Sequence, residues 1–552
     1  MRAVYTLIFL SQFVPSLLKA QVNVAPTYST FSHADSLRGS LSPLRSCYDV
    51  NFYHLDVKFN LQEKSISGSN LFKFTAVKAL KRLQFDLYAN LKIEKIIYHQ
   101  HPLSFTREGN AVFVNFPAII KQNTKDQFTV FYAGKPALAA RAPRDGGLTF
   151  GTDTLGKPFV ATTCEGTGAS IWWPNKDHLS DEVDSMAISV SVPTGLKDVS
   201  NGRLRKVTDM KNGYTRFDWF VANPINNYNV AVNIANYVHI SDACKGENGK
   251  LTLDYWVLPE HRDRAKARFG KNVKAMLASY EHWFGPYPFY KDGYKLVETP
   301  YIAMEHQSAI SYGAFMKGAP NNDLDGGKNG SNWDFIIVHE SAHEWFGNNI
   351  TAKDLADLWI HEGFASYAES LFIESQYGKD AGITYIHNGT KGISNDKPVI
   401  AAYGVNQLGS GDMYAKGSAV LNMVRTIIND DEKWRMVLRG LNKNFYHQTV
   451  TYDQVVNYIS KQSGIDFRPM FDQYLHFKNI PKLEFSSKEG QVVFRWQADA
   501  KNFAMPVRVK IHGGPYQFIS PNSTFQALKI TGATPQNIEV DTLNYYLGVL
   551  KN

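Results

Sequence analysis

The residues best suited to chemistry sit in one short run, His339-Glu340-Ser341-Ala342-His343, directly after the apolar stretch Phe335-Ile336-Ile337-Val338. On a helix, side chains four positions apart stand about 40° apart around the axis, so both imidazoles can reach one metal ion. Zinc accepts histidine nitrogen readily, and a catalytic zinc takes three protein ligands and keeps one position open. Glu362 supplies the third, inside the second apolar-periodic segment Leu358-Trp359-Ile360-His361-Glu362-Gly363-Phe364. A helix, a reversal over Asn348-Asn349 and an antiparallel second helix would carry that carboxylate back to the metal. Glu340 projects beside the pair, where it can accept a proton from water activated at the ion. The pattern therefore predicts one Zn2+ per chain, held by His339, His343 and Glu362, with Glu340 as general base. The competing reading is two surface histidines and a solvated glutamate. The apolar helix context and a third ligand within reach argue against it.

These residues need rigid elements to hold them. Helical periodicity predicts helices over Arg262–Phe284, Asp334–Gly347, Leu358–Tyr377, Tyr414–Ile428 and Tyr452–Ser463. The polar stretch Pro320–Asn332 reads as a loop. Upstream the period is two: Tyr53, Leu55, Val57, Phe59 and Leu61 alternate with polar residues, and Met186, Ile188, Val190 and Val192 repeat the pattern. Ala111–Phe116 and Gln127–Tyr132 fit further strands, with turns such as Arg144-Asp145-Gly146-Gly147 between. Alternation returns at the C-terminus in Val507, Val509 and Ile511. The expected fold is multidomain α+β. An N-terminal antiparallel β domain spans 21–238, a mostly helical zinc catalytic domain 239–480, and a small C-terminal β-sandwich domain 481–552.

Composition excludes several classes. The chain has 552 residues, 44% apolar and 20% charged, which suits large buried cores and not a disordered polymer. The net charge of +8 is spread thinly, without the like-charge runs of a nucleic-acid arm or polybasic anchor. Residues 1–20 read as a signal peptide: Met1-Arg2 is basic, Ala3–Leu18 mostly apolar, and Ala20 ends the segment. No later run approaches a membrane span, so the expected mature chain is exported, periplasmic or secreted, without a stable membrane span. Cys47, Cys164 and Cys244 are too few for a disulfide scaffold, and no CxxC pair offers thiolates to zinc.

With its motifs assembled, the sequence resembles the zinc aminopeptidases of the aminopeptidase N and leukotriene hydrolase family. The likeness rests on His339-Glu340-x-x-His343-Glu344-Trp345-Phe346-Gly347-Asn348 and on Glu362 in a Trp-x-x-Glu-Gly context. Tyr301-Ile302-Ala303-Met304-Glu305-His306 resembles that family's Gly-x-Met-Glu-Asn exopeptidase motif, with Ile302 and His306 departing from it. Thr163-Cys164-Glu165 and Trp173-Pro174-Asn175-Lys176-Asp177 resemble its substrate-amine segment, and Tyr414-Ala415-Lys416-Gly417 the stretch with its catalytic tyrosine. The resemblance implies a thermolysin-like catalytic domain and cleavage of N-terminal residues from peptides with a free amine. It further implies that Glu305 and Glu165 bind that amine, that Ala303 and Met304 pair with the peptide backbone, and that Tyr414 stabilises the oxyanion. Glu369, seven residues after Glu362, could orient a zinc-bound histidine, whereas Glu344, Lys416 and Cys164 carry weaker claims.

Other readings share these residues. A thermolysin-type endopeptidase would keep the metal site without an amine anchor. A silent zinc-stabilised binding protein would need neither Glu340 nor Tyr414. An epoxide hydrolase activity, known in one branch of the family, has no feature pointing to it here. The sequence carries no signal for oligomeric state or side-chain preference.

Overall fold

The computed structural model describes residues 31–315, 333–528 and 532–552. The signal segment and the loop expected over 320–332 lie outside those residues. Two short helices, α1 (His33–Gly39) and α2 (Pro43–Ser46), lead into the long strands Tyr48–Asn60 and Ser65–Ala76. Tyr53, Leu55, Val57 and Phe59 are buried as their alternation requires. These strands belong to an eight-stranded sheet. Its ladders are antiparallel except where Tyr48–Asn60 runs parallel to Ser185–Pro193, with Tyr53 opposite Met186. Phe72 and Phe128 of this sheet stack at 4.5 Å, and Phe72 meets Phe85 of a neighbouring three-stranded sheet at 5.4 Å. Stacked and tilted rings at these distances close the layer between the two sheets.

Helical structure begins later than position 239. Val238–Gly246 and Gly249–Val257 form a hairpin that joins Tyr294–Glu298, Ile310–Tyr312 and Ala303–Met304 in a five-stranded sheet. Leu251, Leu253, Tyr255 and Val257 alternate and are buried, which is strand periodicity in a stretch assigned to the helical region. The helices that follow are α3 (Arg262–Phe284), α4 (Phe335–Ala342), α5 (Trp359–Tyr377), α6 (Lys379–Thr390), α7 (Ala415–Ile428), α8 (Asp431–Asn444), α9 (Tyr452–Ser463) and α10 (Arg468–His476). On α3, Ala265, Phe269, Val273, Met276 and Tyr280 form the predicted buried stripe. Two small sheets complete the chain, one of four strands around Gln491–Gln497 and one of three around Val507–Ile511.

Two apolar cores result. One fills the N-terminal β region, and the other runs without interruption through the helices into the C-terminal sheets. The second core fixes α4, α5 and α7, while the first fixes the segment after Pro158–Thr163 that carries Glu165. Among the described residues no helix is long and apolar enough to cross a membrane.

Candidate active site

Helix α4 is anchored at its start. The Asp334 carboxylate accepts from Ile337 N at 3.2 Å, from Arg268 Nε at 2.5 Å and from the Tyr312 hydroxyl at 2.8 Å. An N-cap carboxylate satisfies an orphan amide and suits the positive end of the helix dipole. The helix ends at Ala342 and not at Gly347 as the periodicity predicts. Beyond it the backbone bonds tighten to i+3, Trp345 N to Ala342 O, and then widen to i+5, Asn348 N to His343 O. Gly347 turns the chain at φ +134°, open only to glycine without strain. His343 nevertheless keeps helical dihedrals (φ −63°, ψ −21°), so its imidazole holds the predicted offset from His339.

Hydrogen bonds set both tautomers. His339 Nδ1 donates to Glu369 Oε1 at 2.6 Å, and the other oxygen of Glu369 accepts from the Tyr385 hydroxyl. His343 Nδ1 donates to Phe346 O at 3.1 Å. Each Nε2 is thereby left with its lone pair pointing inward. The two Nε2 atoms are 3.4 Å apart, and Glu362 Oε2 stands 3.4 Å from one and 3.5 Å from the other. Tetrahedral ligands about 2.0–2.1 Å from a zinc ion lie about 3.4 Å from one another. Glu362 Oε2 is moreover buried without a hydrogen-bond partner. Two facing lone pairs and an unpartnered carboxylate oxygen repel unless a cation sits between them, so these residues fit Zn2+. The surrounding acids favour positive charge at this point: burial would lower His343, yet Glu305 and Glu362 raise it to about 9, so without an ion a proton takes its place in the cradle. Burial would likewise raise Glu362, but the histidines hold it well below the usual carboxylate range.

Around this cradle the predicted acids converge. Glu340 is buried, and burial, with Glu305 and Glu362 adding to it, pushes its carboxyl up to about 7 against the pull of His339 and His343. Glu305 Oε1 accepts from the Tyr228 hydroxyl at 3.2 Å, and its backbone carbonyl accepts from Asn348 Nδ2 at 2.9 Å. Glu305 also lies within 4.8 Å of ligand atoms on Glu340 and His343, and separately of Glu165 and His361. Burial, then Glu305, Glu362 and Glu340, raises Glu165 well above the ordinary range. Ala303 and Met304 form a strand opposite Tyr312 and Ser311. Met304 Sδ accepts from Thr163 Oγ1 at 3.7 Å, linking this strip to the Glu165 segment.

Tyr414 stacks on the His339 ring at 6.0 Å, opposite Phe335 at 5.3 Å. Burial and the Glu362 carboxylate both raise its hydroxyl pKa. Its position depends on a close crossing of α5 and α7: a Cβ on Gly417 would meet Gly363 Cα at 2.7 Å. Glu362 precedes Gly363, and Tyr414 lies one turn before Gly417. Gly417→Val should therefore part the two helices and shift Tyr414 from Glu362, lowering kcat/KM about 10²-fold. Peptide turnover beside zinc content checks this, and unchanged turnover would mean that the crossing does not set the site. A cavity of about 1030 Å³ opens on His339 and Glu340, walled by Ile302, Phe335, Ile373, Tyr385 and Tyr414.

Other singled-out residues are structural. Glu344 accepts from Ser308 N at 2.7 Å, tying the Glu305 loop to the turn that follows α4. Lys416 donates to the carbonyl oxygens of Phe477 and Lys478, away from Tyr414. Cys164 is buried and its thiol is pushed up by burial. In the Trp-Pro-Asn-Lys-Asp segment Lys176 pairs with Asp181 at 2.8 Å and Asp177 accepts from Ser170 N at 3.1 Å, so it braces the β region. His306 is fully buried beside Ser311, its Nδ1 at 3.2 Å from Ser311 Oγ. Sequence reasoning missed Tyr228, His361, Tyr385 and the Gly363–Gly417 contact. Tyr228 and Tyr385 carry no spacing signal, because each reaches the site from an element of its own. His361 and Gly363, by contrast, flank Glu362 on α5, and adjacency to that ligand was the signal that could have found them.

An α4–α5 pair that presents two histidines and a glutamate to one ion, inside this β–α–β layout, defines a metallopeptidase fold. Residues 268–474 match the family model described as "Peptidase family M1 domain". It is 25% identical over 324 residues to "Probable aminopeptidase 1" of Saccharolobus solfataricus, covering 56% of this chain and 40% of that protein. It is 26% identical over 282 residues to human "Aminopeptidase B", covering 50% and 38% respectively. The chain thus spans about two fifths of the length of these relatives. The M1 zinc metallopeptidase structure from Deinococcus radiodurans has a TM-score of 0.67 at 21% identity, covering 78% of this chain and 94% of that one, and shares the fold.

Proposed function

We propose that this chain is a zinc-dependent aminopeptidase that hydrolyses the first peptide bond of peptides with a free N-terminus. The carrying observation is that the Glu165 and Glu305 carboxylates gather beside the three-ligand cradle of His339, His343 and Glu362. A zinc ion bound there would polarise the scissile carbonyl and lower the pKa of water to about 7. Glu340, buried and drawn to about 7, takes a proton from the attacking water and returns it to the leaving amine. Tyr414 donates to the developing oxyanion, a contact whose loss typically costs about 3–4 kcal/mol of barrier. Glu369 keeps His339 in the tautomer that leaves Nε2 free.

The amine anchor accounts for end-trimming. Glu305 and Glu165 attract the α-ammonium and fix its distance from Glu340, while Ala303 and Met304 offer backbone to the substrate. An internal peptide brings no positive charge to these carboxylates and runs its preceding residues into them. The test is one peptide in two forms, free and N-acetylated, with and without a zinc chelator. Stepwise loss of N-terminal residues from the free form alone, stopped by chelation, is expected. Cleavage of the acetylated form would overturn the reading in favour of an endopeptidase.

A further inference from the structure

One oxygen each of Glu165 and Glu305 and a ring nitrogen of His361 lie within 4.8 Å of one another. That trio has the composition of a second metal site, but the tautomer of the histidine decides against it. Ala352 N donates to His361 Nε2 at 2.8 Å, so Nε2 holds the lone pair and Nδ1 the hydrogen. A protonated ring nitrogen cannot ligate a cation and can only donate. Nδ1 is buried and has no hydrogen-bond partner among the described residues, and His361 itself is wholly buried. A buried N–H of this kind is costly unless an acceptor reaches it. Tyr228 lies against the imidazole, ring centroids 6.3 Å apart, and gives its hydroxyl to Glu305. Glu165 has no side-chain donor of its own among the described residues.

We propose that His361 is the positioning residue of the amine subsite, its Nδ1–H donating to the Glu165 carboxylate and aiming it, with Glu305, at the substrate α-ammonium. This rests on the aminopeptidase reading above. The residue type suits the task. A lysine or arginine would neutralise the carboxylates and repel the ammonium, whereas a neutral imidazole N–H orders an anion without adding a competing charge. Location matters equally. His361 precedes Glu362 in the first turn of α5, and its Nε2 is bound to the strand Ile350–Ala352 that follows α4. One rigid turn would thus set both the metal ligand and the amine anchor, which fixes the one-residue register between them.

Two substitutions separate the roles of the nitrogens. His361→Gln can keep an acceptor for Ala352 N but puts no donor at the Nδ1 position, while His361→Asn places an amide donor there. Each variant of the full chain, loaded with zinc, is titrated with leucine hydroxamate and with the same hydroxamate lacking the α-amine. The wild type should favour the amine form. In His361→Gln that advantage should fall about 10-fold or more, with zinc content and affinity for the amine-free compound unchanged, and His361→Asn should retain most of it. Equal behaviour of the two variants, whether both keep the advantage or both lose it, would overturn the proposal. A wild type without any amine advantage would instead overturn the aminopeptidase reading.

Discussion

Glu340→Gln should lower kcat for N-terminal hydrolysis by about 10²–10⁴-fold, the usual contribution of a positioned proton-transfer group. The amide preserves shape but cannot take a proton. Zinc stoichiometry should not change, since the ligand atoms belong to His339, His343 and Glu362. Substrate affinity should be retained as well, because the proposed anchors of the ammonium are Glu305 and Glu165. Stability should not suffer: Glu340 is 7% exposed and burial is the main cause that raises its carboxyl to about 7, so a neutral amide of the same shape avoids burying a charge there. Turnover, zinc content and a thermal melt on one preparation check the set. Retained turnover would remove Glu340 from the base role, and a collapsed melting temperature would reassign it to structure.

Removing the metal should have a second large effect, on activity and stability together. Without a cation, the lone pairs of His339 and His343 face each other at 3.4 Å and Glu362 Oε2 stays buried and unpartnered. An ion that binds only the folded chain at a thousand times its Kd stabilises it by about 4 kcal/mol. Chelation should therefore abolish hydrolysis and lower the melting temperature by several degrees, and added zinc should restore both. His343→Ala should lose activity and also lose the zinc-dependent shift in melting temperature. A shift that persists in this variant would place the stabilising ion elsewhere.

The sequence alone determined what depends on local spacing. His339, Glu340 and His343 follow from helical geometry over five residues, and Glu362 from a second periodic segment a short reversal away. The β–α–β order followed from periods of two and of 3.6, since burial of one face imprints its repeat on the chain. Local signals were weaker where elements end. The zinc helix stops at Ala342, because the ends of a helix are set by cap and turn bonds and by Gly347 rather than by apolar repeats. The hairpin at 238–257 was hidden in the helical region although Leu251, Leu253, Tyr255 and Val257 alternate, since the strands that complete its sheet lie some forty to fifty residues further on.

Only the tertiary structure decided the rest. Glu165 comes from the β region, Tyr228 from a turn beside it, Glu305 from the loop that follows the short edge strand Ala303–Met304, and Tyr414 from the start of α7. Their meeting depends on how two cores pack, and on a glycine-to-glycine crossing that lets α5 and α7 approach. The directions of the hydrogen bonds at His339, His343 and His361 were equally invisible in one dimension. A tautomer is chosen by whichever distant group the other ring nitrogen meets: Glu369, the Phe346 carbonyl or the Ala352 amide. Spacing along the chain identified the atoms that could bind a metal, and packing across it chose which lone pairs face inward.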